Sequence, residues 1–402
     1  MINHSKNNQS LIICLLKIML GVALVITVTS LPVTVHSENL EFHGFISQGL
    51  IFTSNNQVNG DSESGSLKLT EAGINVSKKF SPRLRFSSQI ISRVTNSERD
   101  GDIRLDYAFF DYKIPFEGAN QVGGRLGRVK NVIGFYNETR DVAFTRPSIF
   151  APESIYFDSY RDLQLSNDGA IIYGNLFTDL GGFLLEAGYG QPRMDGKAET
   201  NLLGSNFDGK FDNHEVVQSR LTYTSPQQRW RFAYSWVDAD LDYQSGVTTP
   251  FQEGIIMLNL SVLSGEFSGE SFAITGETME LDVDYQLSPV LTQLVPIRSW
   301  YIQFQEYLTQ DWTLYARYEN YIPDDNDPEG SILNQVTGLP AHMAYSKTAI
   351  VGAKWQLSKD WLLMMEIENI KGTARLDSEL NPDPFATKKN WQKVNLMLSW
   401  RF

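Results

Sequence analysis

From Leu40 to the C-terminus the chain keeps a two-residue rhythm of apolar and polar side chains, the spacing that sends successive residues to opposite faces of a β-strand. Trp230, Phe232, Tyr234 and Trp236 alternate with Arg229, Arg231, Ala233 and Ser235, and Met279, Leu281, Val283 and Tyr285 alternate with Glu280, Asp282 and Asp284. Trp312, Leu314, Ala316 and Tyr318 alternate with Thr313, Tyr315, Arg317 and Glu319. At the end of the chain, Val394, Leu396, Leu398, Trp400 and Phe402 alternate with Lys393, Asn395, Met397, Ser399 and Arg401. Each segment has one greasy face and one wettable face. A soluble sandwich and a membrane barrel both satisfy this rhythm, and connection lengths separate them.

Strands are predicted near 40–52, 67–80, 83–95, 103–114, 121–132, 168–177, 182–191, 212–224, 227–238, 254–263, 271–285, 297–308, 312–322, 346–357, 361–371 and 391–402, sixteen in all. Short turns, at 81–82, 178–181, 225–226, 309–311 and 358–360, alternate with long polar loops at 53–66, 133–167, 192–211, 239–253, 323–345 and 372–390. Gly265 to Gly269 is expected to form the turn between the tenth and eleventh strands. Short turns on one rim and long loops on the other are the pattern of a transmembrane, antiparallel up-and-down β-barrel with short periplasmic turns and long extracellular loops. Trp230, Trp312 and Trp361 closely follow short turns, as an interfacial aromatic girdle requires. No linker or composition shift divides residues 38–402, so one all-β domain is expected.

Hydrophobic residues make up 42% of the chain, yet there is only one long apolar run, which excludes a bundle of membrane helices. That run spans 11–31, follows Lys6 and is interrupted by Lys17, with Val35-His36-Ser37 ahead of Glu38. Residues 1–37 therefore read as a secretory signal peptide, with an uncleaved anchor as the alternative; both export the chain. The single cysteine, Cys14, falls inside this segment, so the mature chain has no thiol. Ile13 before it argues against lipidation. The formal charge of −13 becomes −15 once Lys6 and Lys17 leave with the signal, and nucleic acid is not an expected partner.

At its end, 394–402, the chain resembles the C-terminal strand of Gram-negative outer-membrane porins, with Leu398, Trp400 and the terminal Phe402 in phase. In that superfamily such a strand is the signal read by the barrel-assembly machinery. Gly124 to Lys130, Gly134-Phe-Tyr-Asn137, Arg140-Asp141, Ser159 to Asp162 and Asn167-Asp168-Gly169 are similar to the fifth strand and third loop of sixteen-stranded porins, including the phosphate-selective group. The resemblance implies an outer-membrane channel for small hydrophilic solutes, a third loop folded into the pore as a constriction, and a homotrimer. The composition of 133–167 supports that loop placement physically, since Ile133, Phe135, Tyr136, Phe144, Ile149, Phe150, Ile155, Tyr156, Phe157 and Tyr160 are too apolar for a freely solvated loop. A surface lid is the other way to cover them.

With the apolar face assigned to lipid, parity sends Arg83, Arg85, Arg93, Arg104 and Arg125 inward as a basic wall. Arg128 and Lys130 have the opposite parity to Arg125 and call for a bulge near Gly127 if all are to face the lumen. Glu280, Asp282, Asp284, Glu319, Glu366 and Glu368 are expected to form an opposing acidic wall. The loop adds Glu138, Arg140, Asp141, Arg146, Glu153, Asp158 and Arg161. Opposed walls would create a transverse field that favours small polar solutes, although the same charges could simply pair locally and keep the lumen wet. So mixed a lining makes a dedicated anion or phosphate channel the secondary reading.

Catalysis has little to work with. The mature chain has only His43, His214 and His342, none spaced to activate a serine, and no glycine loop of phosphate-binding type. A barrel hydrolase and a non-conducting adhesin are the rival classes, and no cofactor or metal is expected.

Overall fold

The computed structural model describes residues 39–95, 101–158, 160–193, 209–247, 252–287 and 291–402; the expected signal peptide lies outside the described residues. Sixteen strands are present: β1 (Leu40–Thr53), β2 (Thr70–Lys79), β3 (Leu84–Val94), β4 (Ile103–Pro115), β5 (Gln121–Lys130), β6 (Ser166–Thr178), β7 (Gly181–Pro192) and β8 (Gly209–Thr224). They continue as β9 (Trp230–Ser245), β10 (Gly254–Ser268), β11 (Phe272–Leu287), β12 (Leu291–Tyr307), β13 (Trp312–Ile322), β14 (Ser346–Ser358), β15 (Trp361–Gly372) and β16 (Asn390–Arg401). Each strand pairs antiparallel with its chain neighbours, and β16 returns to β1, closing the barrel. Closure leaves no strand edge unpaired in lipid, where an unsatisfied backbone group costs several kcal/mol.

The expected strands all form, with one turn misplaced. Gly265 lies within the ladder, opposite Phe232 and Gly276, and β10 runs on to Ser268 before turning. The ring of Phe232 lies over Gly265 and supplies the cover that the missing side chain does not, so this glycine is accommodated within a strand.

The outer face carries an apolar belt that includes Leu126, Ile172, Leu221, Ile302, Val351 and Ile367, all exposed. At the short-turn rim the rings join into a girdle. Trp230 meets Phe267 at 4.6 Å, Phe267 meets Phe272 at 5.8 Å and Phe272 stacks on Phe304 at 5.9 Å. Trp312 stacks on Trp355 at 4.9 Å, and Trp361 approaches Trp400 at 6.3 Å. The amphipathic rings of such a girdle fix the height of the barrel in the bilayer.

The closing seam ends on the last residue. Phe402 exchanges two backbone hydrogen bonds with Gly44, at 3.0 and 3.2 Å, and its ring lies over that glycine and 5.0 Å from Trp400. Deleting Phe402 removes both bonds and the ring contact at the one seam joining the chain's two ends. After heating in SDS, the variant is expected to lose its folded gel mobility at a lower temperature than the parent.

Candidate pore and its infolded loop

Between β5 and β6 the chain turns into the barrel. Gly134 makes that entry with φ +54°, and a Cβ there would meet the Tyr156 hydroxyl at 2.3 Å and Glu277 Oε1 at 2.6 Å, so both backbone conformation and space require glycine. From this point the loop bonds in succession to strands around the ring. Gln218 Oε1 of β8 accepts from Val132 N at 2.8 Å, and Ser235 Oγ of β9 accepts from Gly134 N at 3.0 Å. Glu277 of β11 accepts from Phe135 N at 2.8 Å and from the Tyr156 hydroxyl at 2.7 Å. Arg146 donates to Glu71 of β2 at 2.7 Å, Ser154 N to Glu319 of β13 at 2.8 Å and Ile149 N to Glu366 of β15 at 3.3 Å. Arg317 of β13 donates to Ser148 Oγ, and Lys354 of β14 to the Arg146 carbonyl. A lid resting on the rim could not reach all these inner-wall groups. The loop's apolar side chains are buried in two patches: Ala143 and Ile149 against Ile51, Leu69 and Met364, and Ile155, Tyr156 and Phe157 among side chains of β8 to β13.

Because the loop lies inside, whichever side chains touch it face inward. Arg93 does so, pairing with Glu71 at 3.0 Å and Asp158 at 3.1 Å. Arg104 faces the same space as Arg93 and Asp158. Arg125 sits 3.6 Å from both Glu138 and Glu186, over the rings of Phe109 and Tyr173. Glu138 also takes Arg220 of β8 at 2.5 Å, and Arg220 is held by Glu186 at 2.6 Å. Arg85 lies in β3 opposite Asp111 and Lys79, near the short-turn rim, while Arg83 is exposed in the turn before it, away from the loop. Asp141 is sealed from solvent between Lys130, at 2.5 Å, and Arg161. Glu319 is likewise buried, held by Arg317 at 2.7 Å and Arg375 at 3.3 Å. These two acids anchor the loop instead of lining open water. Glu153, 3.6 Å from both Arg375 and Lys393, and Asp158 remain partly exposed.

Two expectations of parity fail. No bulge occurs at Gly127: its φ of +131° is one that L side chains rarely adopt, but pairing with Phe109 and Gly169 continues without a shift. Arg128 consequently points outward and pairs with Asp168 at 2.7 Å, whereas Lys130, at the strand end where the loop turns in, reaches Asp106 and Asp141. The register shift lies instead in β4, where Asp106 is the extra residue opposite Gln89 and Ile90.

The larger correction concerns Glu280, Asp282 and Asp284, which face outward. On β11 the buried, loop-facing set is Thr275, Glu277, Met279, Val283 and Leu287, and the intervening acids lie on the outer surface, Asp282 bonded to Arg298 at 2.9 Å. The cause is strand length. β8 to β12 run to 16, 16, 15, 16 and 17 residues, whereas about 9–11 cross the hydrocarbon. Above the membrane the outside is water, so the polarity of the faces inverts. On β9, Trp230, Phe232 and Tyr234 face out near the short turn, followed on the same face by Asp238, Asp240 and Asp242, while Val237, Ala239, Leu241 and Tyr243 face in. Cys14 is the single cysteine of the sequence and falls within the expected signal peptide, so one engineered thiol can be followed cleanly. On intact cells, Asp282→Cys should react with a bulky impermeant maleimide and Val283→Cys should not; the reverse pattern would restore the inward acidic wall.

Glu319, Glu366 and Glu368 of that wall do face inward but are buried, so the charges left at the lumen collect differently. Above the loop, Arg93, Arg104, Arg161, Arg375 and Lys393 face Glu153, Asp158 and Asp377 around a basin of about 390 Å³, five cations against three acids among its described lining residues, with Arg93, Arg161, Arg375 and Lys393 also paired behind that lining to the buried Glu71, Asp141, Glu319 and Glu368. Sequence reasoning missed Glu71, Glu186, Arg220, Glu277, Lys354, Arg375 and Lys393. Glu277 was the available signal, a carboxylate on the supposedly lipid-facing parity of Met279. Among the described residues, His43 is exposed on β1 and His342 bonds Thr373 at 3.0 Å in a loop, while the side chain of His214 lies outside them.

Glu71 tests how firmly the loop is held. It is almost fully buried and neutralises the buried Arg93 and Arg146, so Glu71→Ala strands Arg146 and leaves Arg93 with Asp158 alone, and breaking a buried pair costs about 3–5 kcal/mol. A lower unfolding midpoint in guanidinium and a noisier single-channel current are expected.

No family model and no curated protein sequence matches the chain. Solved structures do. DcaP, an outer membrane channel of Acinetobacter baumannii, aligns at TM-score 0.60 and 11% identity over 92% of this chain and 100% of that one. An anion-selective porin from Comamonas acidovorans aligns at TM-score 0.58 and 10% identity, covering 90% and 99%. OmpT of Vibrio cholerae, in a trimer form, aligns at TM-score 0.57 and 12% identity, covering 90% and 99%. With its closed ring of sixteen antiparallel strands, the chain has the fold of the Gram-negative outer-membrane porins.

Proposed function

We propose that the protein is a passive diffusion channel of a Gram-negative outer membrane, passing small hydrophilic solutes and ions through a water-filled lumen narrowed by the loop at 131–165. The carrying observation is a closed barrel with a greasy exterior whose interior holds a solvent-reached charged basin directly above an infolded loop. Residues 1–37 direct export. Leu398 and Trp400 lie on the outward face of the last strand, with Phe402 directly after it, and present this end to the assembly machinery. The functional unit is a homotrimer, a reading supported by the trimer form of the similar Vibrio cholerae protein. Purified protein in a planar bilayer should give large, stable current steps in threes. Insertion without current would sink the channel reading in favour of an adhesin or a barrel hydrolase.

Small anions pass more readily than small cations. The five cations against three acids among the basin's described lining residues support this, as does the likeness to an anion-selective porin, since cations outnumbering acids along a narrow aqueous passage favour anions by Coulomb attraction. Arg104→Gln removes one of those cations, and the reversal potential in a salt gradient should move toward cation preference. An unchanged potential would mean that Arg104 does not act on the permeating ion.

A further inference from the structure

A water-filled sieve does not explain the inner wall of β9 to β12 above the membrane. There Val237, Leu258, Leu260, Leu281, Val283 and Ile297 line an apolar recess of about 200 Å³, closed from below by Ile133, Phe157 and Tyr160 of the loop. An apolar cavity of roughly 150 Å³ is large enough to take benzene. The recess and the basic basin share a wall of Phe157, Tyr160, Tyr321 and Pro323, with Phe157 packed edge-on against Tyr321 at 5.3 Å. A molecule with its ring or short chain in the recess can therefore place an attached charge beside Arg93, Arg104, Arg161, Arg375 and Lys393.

We propose that recess and basin together form one binding site for amphipathic anions, carboxylates carrying an aryl or medium-length alkyl group, on the extracellular side of the loop. The proposal deepens the channel reading and rests on it for the solute's onward passage, but binding itself does not require conduction. Each half contributes what the other lacks. Burying an aromatic ring removes its apolar surface from water, while the basin supplies charge-assisted partners for the carboxylate, which are stronger than neutral ones. Acetate would gain only the second term, and a neutral aryl alcohol only the first.

The test is a calorimetric titration of the purified full-length protein in detergent with 3-phenylpropanoate, acetate and 3-phenylpropan-1-ol, with empty micelles subtracted. Phenylpropanoate should bind at least tenfold more tightly than either comparison compound. Leu281→Phe, which fills the recess without introducing a polar group, should reduce its affinity to that of acetate, and Leu281→Asn should do the same. Arg104→Gln should weaken both carboxylates and leave the alcohol unchanged. Equal affinity for phenylpropanoate and acetate, or full binding by Leu281→Phe, would overturn the apolar half; equal affinity for the acid and the alcohol would overturn the basic half. Bilayer recordings separate this proposal from the broader one. Binding without any current would fail the channel reading and keep the site, whereas current that acetate and phenylpropanoate block alike would fail the site and keep the channel.

Discussion

Hydrocarbon offers no partner to a backbone N–H or C=O, and the rest of the structure follows from that constraint. A strand can enter lipid only if both its edges are paired, which forces the sixteen strands into a ring and makes the β1–β16 seam as necessary as any interior ladder. Closing the ring creates an interior that side chains from the wall do not fill. A chain with a barrel of this size must either leave the space to water or put something into it, and here the longest connection goes in.

Once inside, that connection faces the same problem in reverse, because its own backbone and charges leave bulk solvent. The wall answers with buried carboxylates. Glu277 takes four donors, from Phe135 N, Ser264, Tyr156 and Tyr301, at 2.6 to 2.8 Å. Glu71 takes Arg93 and Arg146, and Glu319 takes Arg317, Arg375 and Ser154 N. Charge-assisted bonds of this kind are strong only while complete, since removing one partner leaves the other charge buried and unpaired. The loop is thus held as a unit across the barrel, and its position sets which wall charges still face water. Asp141 and Glu319 are spent on anchoring, while Asp158 and Glu153 remain at the basin.

The strands were legible because a period of two is a direct geometric statement about a chain, and Trp230, Trp312 and Trp361 marked the girdle rim correctly. What alternation does not encode is which face meets which solvent. Assigning the greasy face to lipid holds where lipid is outside, as on β13 with Leu314 and Tyr318 outward, and fails where the strand outruns the membrane, as for Glu280, Asp282 and Asp284. The inversion is written into β9, where the apolar set shifts from even to odd positions between Trp236 and Val237, and it becomes legible only when the strand is followed beyond crossing length. Contacts distant in sequence, such as Arg146 with Glu71 or Arg375 with Glu319, leave no periodic trace at all.

The overlong strands also change what kind of lumen this is. Extending β8 to β12 above the bilayer puts water on the outside of that wall, so the fold's usual polarity can no longer keep its inner surface wet. One sector of the mouth becomes apolar while the sector formed by β3, β4 and the last loop stays basic. On the proposed function, solutes meeting this mouth are sorted by how charge and apolar surface are arranged within one molecule as well as by size. A passage that binds must also release, which requires each contact to be modest. Two half-sites, one apolar and one ionic and both open to water, meet that requirement better than a single deep pocket, because either can let go before the other.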